Sequence, residues 1–495
     1  MPASKRLHPS RLGELPASVA VPGYDRAGIC TGIVHLGLGN FHRAHQALYL
    51  DDLFHHHPGS HWGICGVGLL PQDSRMAEAL GPQDYLYTLV ERDSHTNTAR
   101  IIGSVRDFLH APADPEAVLS RMADPSTRIV SLTITEGGYY LDQGSGELEQ
   151  DHPNLRHDLE HPEEAPISVY GYLAEALARC RKAGTPPFTV QSCDNLQGNG
   201  DVSKRMLVSF AHLRDPQLGN WIENNVAFPN SMVDRITPAT TDPLRAEVTR
   251  MLGGVQDAWP VVAEPFRQWV IEDHFGNGRP PYEEVGAQIT GDVLPYELMK
   301  IHMLNASHQA FCHLGVLLGY ETTDQAMADP LIPQLLTRYM DTVRPLIDEP
   351  PGENLMNYQR TLLERFANPA AKDQLARIAF DASSRIPKFV LPMARKQLAR
   401  GGPVEVFAFV VACWIRYLGS QDDAGRPIHV QDPLADLLLD TVQHGDKDPT
   451  PFLNLRQLFG EELPRSESFV AAVRSALESL YDNGARATLA RYCQA

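Results

Sequence analysis

One mostly apolar segment, YELMKIHMLNASHQAF at residues 296–311, carries side chains that could do acid–base chemistry. At about 100° per residue, an α-helix places four of its polar groups within one arc of about 140°: Glu297, Lys300, Asn305 and His308. The rest of the segment is apolar nearly all round, which is typical of a buried helix. Because lysine is almost never fully buried without a partner or a purpose, Lys300 is the residue that needs an explanation.

The chemistry that this set predicts is the oxidation of an alcohol without a metal. Burial disfavours the charged form of an amine, so Lys300 would serve as a general base. Asn305 would donate a hydrogen bond to a developing alkoxide or carbonyl oxygen. His308 would fix a neighbouring hydroxyl or tune the lysine, and Glu297 would pass a proton to solvent. The alternative for an isolated helix is that these groups extend to a solvated rim.

A second pattern in the same segment invites a different interpretation. Tyr296 and Lys300 have the YxxxK spacing of the active site of short-chain dehydrogenases. That family, however, has much shorter chains, another glycine pattern, and a tyrosine closer to it. We therefore predict that Tyr296 packs near the start of the helix. His302 falls about 200° from Lys300 on the same helix, and we predict a structural role for it.

A candidate cofactor site lies near the other end of the chain, in IVHLGLGN. Gly37 and Gly39 follow a short β-type run and precede a helical pattern, as the phosphate-binding turn of a dinucleotide fold does. His42 occupies the place of the usual third glycine, and a plain turn is the alternative. Asp73 would receive the ribose hydroxyls and would favour NAD over NADP. Its alternative role is to cap a helix that starts at Ser74.

The elements that must position these residues divide the chain into two parts. Before residue 285, β-type runs at residues 33–36, 62–70, 128–135 and 188–193 alternate with helical segments such as residues 168–184, where Gly184 would end the helix. This alternation predicts an α/β domain with a largely parallel sheet. A stretch rich in Gly and Pro follows at 275–295, and almost every later segment has helical periodicity. We predict a Rossmann-type NAD-binding domain at residues 1–285 and an all-helical substrate and catalytic domain at residues 286–495.

Composition narrows the class of protein further. The formal charge is −18, from 61 acidic and 43 basic residues, which argues against nucleic acid and anionic membranes as partners. The seven cysteines are scattered and never spaced as CxxC, so a reducing compartment fits. The N-terminus lacks the apolar core of a signal peptide, and the most apolar run, 404–415, is too short to span a bilayer. We expect a cytoplasmic protein.

Several blocks of sequence resemble one known family. They are GLGNFHRAHQALYLDDL, TITEGGYY, SCDNLQGNG, FPNSMVDRITP, EPFRQWVIEDHF and the pattern Lys300-x4-Asn305-x2-His308. These ordered blocks extend from about residue 30 to at least residue 400, and they are similar to those of the polyol-specific long-chain dehydrogenases. The resemblance implies a Rossmann-type first domain, a helical second domain, and NAD-dependent interconversion of D-mannitol and D-fructose without zinc. It also implies a monomer.

The resemblance also implies roles for individual residues. Its catalytic group has Lys300 as the base, Asn195 and Asn305 stabilising the reacting oxygen, His308 binding substrate, and Glu297 at a proton channel. The implied substrate contacts are Asp234, Arg377 and Arg385. The implied cofactor contacts are Gly37, Gly39, Phe41 and Asp73. The sequence departs from the family at Arg385, where we expect lysine, and the two cations differ in geometry.

Four alternatives remain open at this point. An arginine pair would suit a carboxylate, so the substrate could be a hexuronate of the fructuronate and mannonate type. Another polyol, such as arabinitol, is a second alternative. A third is an NAD-binding sensor or scaffold without catalysis. The fourth, a zinc alcohol dehydrogenase, would have to use His42, His45 and the histidines at 55–57, but no matching Cys or acidic cluster accompanies them.

Overall fold

The computed structural model describes residues 5–142 and 144–494. The chain divides into two compact units, Met1–Leu294 and Pro295–Ala495.

The first unit contains all the named strands of the described residues. They are β1 (Val19–Ala20), β2 (Thr31–Leu36), β3 (Gly63–Gly68), β4 (Tyr87–Arg92), β5 (Asn97–Ile102), β6 (Val105–His110), β7 (Ile129–Leu132), β8 (Thr189–Ser192), β9 (Ser231–Asp234), β10 (Val261–Ala263), β11 (Gln268–Glu272) and β12 (Gln288–Thr290). Its helices are α1 (Asn40–Ala44), α2 (Gln46–His56), α3 (Ser74–Leu80), α4 (Pro115–Met122), α5 (Pro153–Glu160), α6 (Val169–Ala183), α7 (Asn199–Arg214), α8 (Pro216–Asn225) and α9 (Asp242–Met251).

The main sheet has the strand order β6-β3-β2-β7-β8, and every neighbouring pair in it is parallel. The chain therefore starts this sheet in the middle, builds outward on one side through β3 and β6, and then continues on the other side of β2. This is a Rossmann-like arrangement, and the order reverses between β2 and β7. The predicted α/β fold class with a parallel sheet is confirmed.

Alternation along the strands places helices on both faces of this sheet. Val34 and Leu36 belong to an apolar cluster that includes residues of α6 and α7, whereas Ile33 belongs to a cluster that includes residues of α2. Because successive side chains of a strand point to opposite faces, one apolar run supplies both clusters. Helix α6 ends at Ala183 and is capped by Gly184, which has a φ of 69°, in agreement with the stop that this glycine predicts.

Two smaller sheets in this unit are mixed and were not predicted. One has the order β1-β5-β4-β10, with β4 and β5 antiparallel, and the other has the order β12-β11-β9, with β9 and β11 antiparallel. Several of their strands are only two or three residues long, too short for a periodicity to register.

The regular elements after β12 are helical. They are α10 (Leu294–Met299), a π-helical segment (Lys300–Asn305), α11 (Ala306–Leu317), α12 (Thr323–Met327), α13 (Leu331–Val343), α14 (Leu355–Phe366), α15 (Leu375–Ala379), α16 (Ala382–Phe389), α17 (Leu391–Ala399), α18 (Glu405–Leu418), α19 (Ala435–Gly445), α20 (Thr450–Leu453), α21 (Arg456–Phe459), α22 (Glu462–Arg465) and α23 (Glu467–Gln494). The predicted helical second half is confirmed.

Helices α11 and α18 form the centre of the second unit. Most residues of both are buried, and α11 packs against α13, α15, α16 and α18. Helix α18 contains the most apolar run of the sequence, and it packs against α23. None of the helices within residues 5–142 and 144–494 has the length and apolarity needed to cross a membrane.

A buried histidine on α11 should make stability depend on pH. His313 packs edge-on against Tyr417, with ring centroids 4.9 Å apart, and burial lowers the pKa of its imidazole to about 3. Below about pH 6.5 the unfolded chain binds a proton at this residue and the folded chain does not, so stability falls as the pH falls from about 6.5 toward 3. At pH 5 this one residue should cost about 2 kcal/mol relative to pH 7.

The replacement His313→Phe should therefore reduce the difference in unfolding free energy between pH 7 and pH 5 by about 2 kcal/mol. Urea unfolding followed by circular dichroism at the two pH values measures this difference. The control is His56→Gln, because His56 is exposed at the end of α2, and it should leave the difference unchanged. Equal pH dependence in the wild type and His313→Phe would contradict the prediction.

Candidate active site

The turn after β2 has the properties of a dinucleotide cradle. Gly37 has a φ of 91°, and a Cβ added there would overlap the carbonyl oxygen of Thr133. At Gly39, an added Cβ would meet only the oxygen of Gly37, at 3.7 Å, so a ligand could approach the backbone closely. The turn lies where the order of the main sheet reverses, and doubly wound sheets bind ligands at this point.

Two buried histidines, His35 and His42, pack next to this turn. The Nε2 of His35 lies 2.8 Å from the hydroxyl of Thr133, which in turn donates to the carbonyl oxygen of Gly37 at 2.8 Å. The Nδ1 of His35 lies 2.8 Å from the Ser131 hydroxyl, and burial lowers the pKa of the ring to about 3. His42, in the place of the third glycine, stacks on His35 with ring centroids 3.4 Å apart. In the usual motif the third glycine lets the helix pack closely on the strand. Here the stacked rings of His42 on α1 and His35 on β2 fill the space between them.

The helix after the glycine turn is shorter than the sequence pattern indicates. Helix α1 ends at Ala44, and α2 begins at Gln46 after a break at His45, which has a φ of −124° and a ψ of −89°. Phe41 lies on α1 and is partly exposed, and its ring stacks on His45 with centroids 5.0 Å apart.

Asp73 stands beyond the carboxyl end of β3. Its carboxylate accepts the backbone N–H of Leu70 at 2.9 Å and so closes the 3₁₀ turn Pro71–Asp73. Its side chain makes no capping hydrogen bond to α3, so the alternative role as cap of the helix that starts at Ser74 is wrong. A Cβ at Gly68, the last residue of β3, would overlap the Asp73 side chain, so this glycine lets the carboxylate stand beside the strand end.

The remaining two candidates of the first unit lie near strand ends. Asn195 is exposed and follows β8 by three residues. Asp234 is buried at the end of β9, opposite Gln268 of β11. The sequence did not single out Asp194, whose carboxylate binds the turn after β7. Its position directly before Asn195 is the signal that could have identified it.

Lys300 and Glu297 are both buried, as the apolar segment predicts. The exposed fractions are 8% for Lys300 and 5% for Glu297. A lysine this far from water is unusual and is commonly associated with function. The π-helical segment that begins at Lys300 packs against α13 and α16 within the second unit.

The local helix geometry differs from the regular α-helix assumed above. Residues Lys300–Asn305 form a π-helical turn, and the N–H of Ala306 donates to the carbonyl oxygen of Ile301, five residues earlier. The wider turn reduces the rotation per residue. The angle about the helix axis between residues five apart is therefore smaller than the 140° of an α-helix. The prediction of a uniform α-helix is wrong here, and the correction moves Asn305 toward the side of Lys300. Such turns are frequent at functional sites.

The other polar groups of this segment have distinct surroundings. Asn305 and His308 are both partly exposed, and the His308 ring lies 4.6 Å from that of Phe366. The Tyr296 hydroxyl donates to the carbonyl oxygen of Pro351 at 2.6 Å, which is a packing role at the start of the helix. His302 is buried, and its Nδ1 lies 2.9 Å from the carbonyl oxygen of Phe389. These contacts agree with the structural roles predicted for Tyr296 and His302.

The two arginines proposed as substrate contacts differ in exposure. The Arg377 side chain is 68% exposed, and its guanidinium forms an ion pair with Asp373, with an Nη2–Oδ1 distance of 2.6 Å. Arg385 lies on α16, is partly buried, and donates from Nη1 to the carbonyl oxygen of Ile378 at 3.0 Å. Arg377 could bind a substrate only by sharing or exchanging its partner. Helix α16, which carries Arg385, packs against the π-helical segment.

Two of the histidines considered as zinc ligands, His42 and His45, make contacts within the fold. The Nε2 of His45 lies 2.9 Å from the carbonyl oxygen of Gln268, and its Nδ1 lies 2.9 Å from the side-chain amide of Gln46. Both ring nitrogens of His45 are thus occupied, and the ring of His42 is stacked on His35. In the part of the chain that the structure describes, no group of three or more His, Cys, Asp or Glu residues could hold a metal ion.

Comparison with known families adds to this geometry. A family model described as the mannitol dehydrogenase Rossmann domain matches residues 31–284, and one described as the mannitol dehydrogenase C-terminal domain matches residues 292–481. The chain belongs to the mannitol dehydrogenase family. It is thus an oxidoreductase of the polyol dehydrogenase type, and the family resemblance read from the sequence blocks is confirmed.

Relatives in the mannitol dehydrogenase family match along nearly the whole chain. Mannitol 2-dehydrogenase of Phaeosphaeria nodorum is 44% identical over 99% of this chain and 86% of its own length. A structure of Pseudomonas fluorescens mannitol 2-dehydrogenase, a ternary complex with NAD and D-mannitol, is 44% identical and has a TM-score of 0.86, covering 99% of both chains. A structure of a substrate-free D-sorbitol dehydrogenase is 39% identical, with a TM-score of 0.92, covering 98% of this chain and 100% of that one.

Proposed function

We propose that the protein is an NAD-dependent mannitol 2-dehydrogenase, which interconverts D-mannitol and D-fructose with Lys300 as general base and without a metal. The observation that carries the proposal is a buried lysine on a π-helical turn in a chain whose family membership covers both units. The identity of 44% to enzymes of this name supports the choice of substrate.

The first unit supports NAD as the cofactor. The residues that would hold it are Gly37, Gly39, Phe41 and Asp73. The glycine turn leaves its backbone open at Gly39, at the point where the sheet order reverses. The Asp73 carboxylate at the end of β3 would accept hydrogen bonds from ribose hydroxyls and repel the extra phosphate of NADP. When bound, NAD supplies the acceptor for the hydride that leaves the alcohol carbon.

Lys300 and the asparagines would carry the proton chemistry. The neutral amine of Lys300 would accept the proton of the substrate hydroxyl as the alcohol carbon loses its hydride. The side-chain amides of Asn195 and Asn305 would donate hydrogen bonds to the oxygen as it changes from alcohol to carbonyl. His308 would bind a neighbouring hydroxyl, and Glu297 would pass the proton on to solvent. In fructose reduction the same amine returns the proton.

The substrate contacts favour a neutral polyol over a hexuronate. Asp234 would accept hydrogen bonds from hydroxyls and would repel a carboxylate. Arg377, which could bind a carboxylate, already faces the carboxylate of Asp373. Arg385 would then be the main cationic contact. We also propose that the enzyme works as a monomer and that it is cytoplasmic. Its seven free cysteines fit the reducing environment of the cytoplasm.

A panel of substrates tests this function. With NAD present, D-mannitol should be oxidised with a kcat/KM at least about tenfold above those of sorbitol, arabinitol and mannonate, because a site built to hydrogen-bond hydroxyls rejects a wrong configuration. Formation of NADH, followed by absorbance, measures each rate, and NADP in place of NAD tests the role of Asp73. A preference for mannonate would favour the hexuronate alternative. Inactivity with all four substrates would favour a binding protein and contradict the proposal.

A further inference from the structure

The turn after β7 contains a residue in a backbone conformation that its side chain disfavours. Thr135 has a φ of 61° and a ψ of 168°, a region that is essentially restricted to glycine. A β-branched residue with positive φ is a clear outlier. Such conformations persist only where the surrounding structure enforces them, and they cluster at functional sites.

The carboxylate of Asp194 supplies that enforcement. Its Oδ1 accepts the backbone N–H of Thr135 at 3.0 Å, and its Oδ2 accepts the backbone N–H of Ile134 at 3.0 Å. The hydroxyl of Tyr139 also donates to Oδ2, at 2.7 Å. One side chain from the end of β8 therefore binds both peptide groups of the turn that follows β7.

The contact between Asp194 and the Thr135 turn lies at the carboxyl ends of the strands, where the proposed function places the cofactor turn and Asn195. Strands β7 and β8 are parallel neighbours, so their carboxyl ends lie side by side. Thr133, two residues before the strained position, borders the Gly37 turn. Asn195 directly follows Asp194 in the chain.

We infer that Asp194 is a positioning residue. Its carboxylate holds the turn at Thr135 in its strained shape and thereby fixes the carboxyl ends of β7 and β8, next to which Asn195 acts. This inference rests on the proposed function, because Asn195 has its role only in that reaction. The site needs the shape of the turn, and the charge of the carboxylate matters only because it maintains that shape.

The variant Asp194→Asn tests the inference, because an amide presents an NH₂ group to one of the two backbone N–H donors. The expected result is a fall in kcat for D-mannitol of about tenfold, with a smaller change in the affinity for NADH. Glycine adopts the strained conformation without help, so the second change Thr135→Gly should restore kcat to within about threefold of the wild type in the double variant.

A matched control separates this role from general stability. Asp158 is buried, and its carboxylate likewise accepts two backbone N–H groups, those of Ile167 and Ser168, together with the Ser168 hydroxyl. Asp158 lies on α5, and not at the carboxyl ends of β7 and β8. Asp158→Asn should lower the melting temperature and leave kcat within about twofold of the wild type.

The inference about Asp194 and the proposed function fail under different results. An active wild type with an unaffected Asp194→Asn variant, or a double variant as slow as Asp194→Asn, would overturn the inference. If Asp194→Asn does not fold, a folded and active double variant supports the inference, and a double variant that also fails to fold overturns it. Wild-type activity on D-mannitol is measured first, because an inactive wild type refutes the proposed function itself.

Discussion

Replacing Lys300 with alanine should lower kcat for D-mannitol oxidation by about 10²- to 10⁴-fold, the usual contribution of a positioned general base. Lys300 is 8% exposed, so bulk water has little access to the position of its amine in the wild type. The loss should appear in kcat and kcat/KM together, because the proton transfer belongs to the transition state. Initial rates of NADH formation at saturating NAD measure the effect, and NADH binding measured by fluorescence should stay close to that of the wild type.

The control for this prediction is Tyr296→Phe. The Tyr296 hydroxyl contacts the carbonyl oxygen of Pro351, so its removal should cost some stability and leave kcat within a few-fold of the wild type, about what loss of one hydrogen bond explains. The opposite result would be a large fall in kcat for Tyr296→Phe and little change for Lys300→Ala. It would reverse the assignment in favour of the YxxxK pattern.

Replacing Gly39 with alanine should weaken NADH binding about 10- to 100-fold without changing the melting temperature. The backbone of Gly39 has a φ of −94° and a ψ of −172°, which alanine adopts without strain, and the new methyl would meet only the oxygen of Gly37 at 3.7 Å. A cofactor that lies against this backbone would collide with the methyl, at a cost typical of an overpacked contact. Fluorescence titration with NADH and thermal unfolding together measure the two effects.

The neighbouring Gly37 gives the matched comparison. There a Cβ would overlap the Thr133 carbonyl oxygen, and φ is 91°, so Gly37→Ala should lower the unfolding free energy by about 3 kcal/mol. The two glycines thus separate a cost to the fold from a cost to cofactor binding. Unchanged NADH affinity in Gly39→Ala would show that the turn is not the cradle.

Much of the fold could be predicted because its signals are local. The four strands predicted at residues 33–36, 62–70, 128–135 and 188–193 are found as β2, β3, β7 and β8, since buried parallel strands form continuous apolar runs. Helix α6 ends just before Gly184, which adopts the left-handed conformation that glycine tolerates. The mixed sheets were missed. Strands β1 and β10 have only two or three residues and pair with strands distant in sequence, so no local signal marks them, and the six-residue hairpin β4–β5 was also not recognised.

The candidate site was predicted in its residues more than in its geometry. Burial of Lys300 follows from the apolar residues around it, and these are visible in the sequence. The π-helical turn is not visible there, because no residue pattern distinguishes one bond register from the next. The contact of Asp194 with the Thr135 turn joins segments about 60 residues apart, and the strain at Thr135 is a property of the backbone alone. The roles of the individual site residues stay predictions until variants are measured.

The identity of the general base is tested most directly by the pH dependence of kcat/KM for D-mannitol oxidation in the wild type and in Lys300→Ala. With Lys300 as the base, the wild-type value should fall about tenfold per pH unit on the acid side, as the amine becomes protonated. The slow residual rate of Lys300→Ala should lose this dependence. An acid-side fall that persists unchanged in Lys300→Ala would show that another group accepts the proton, and would contradict the account.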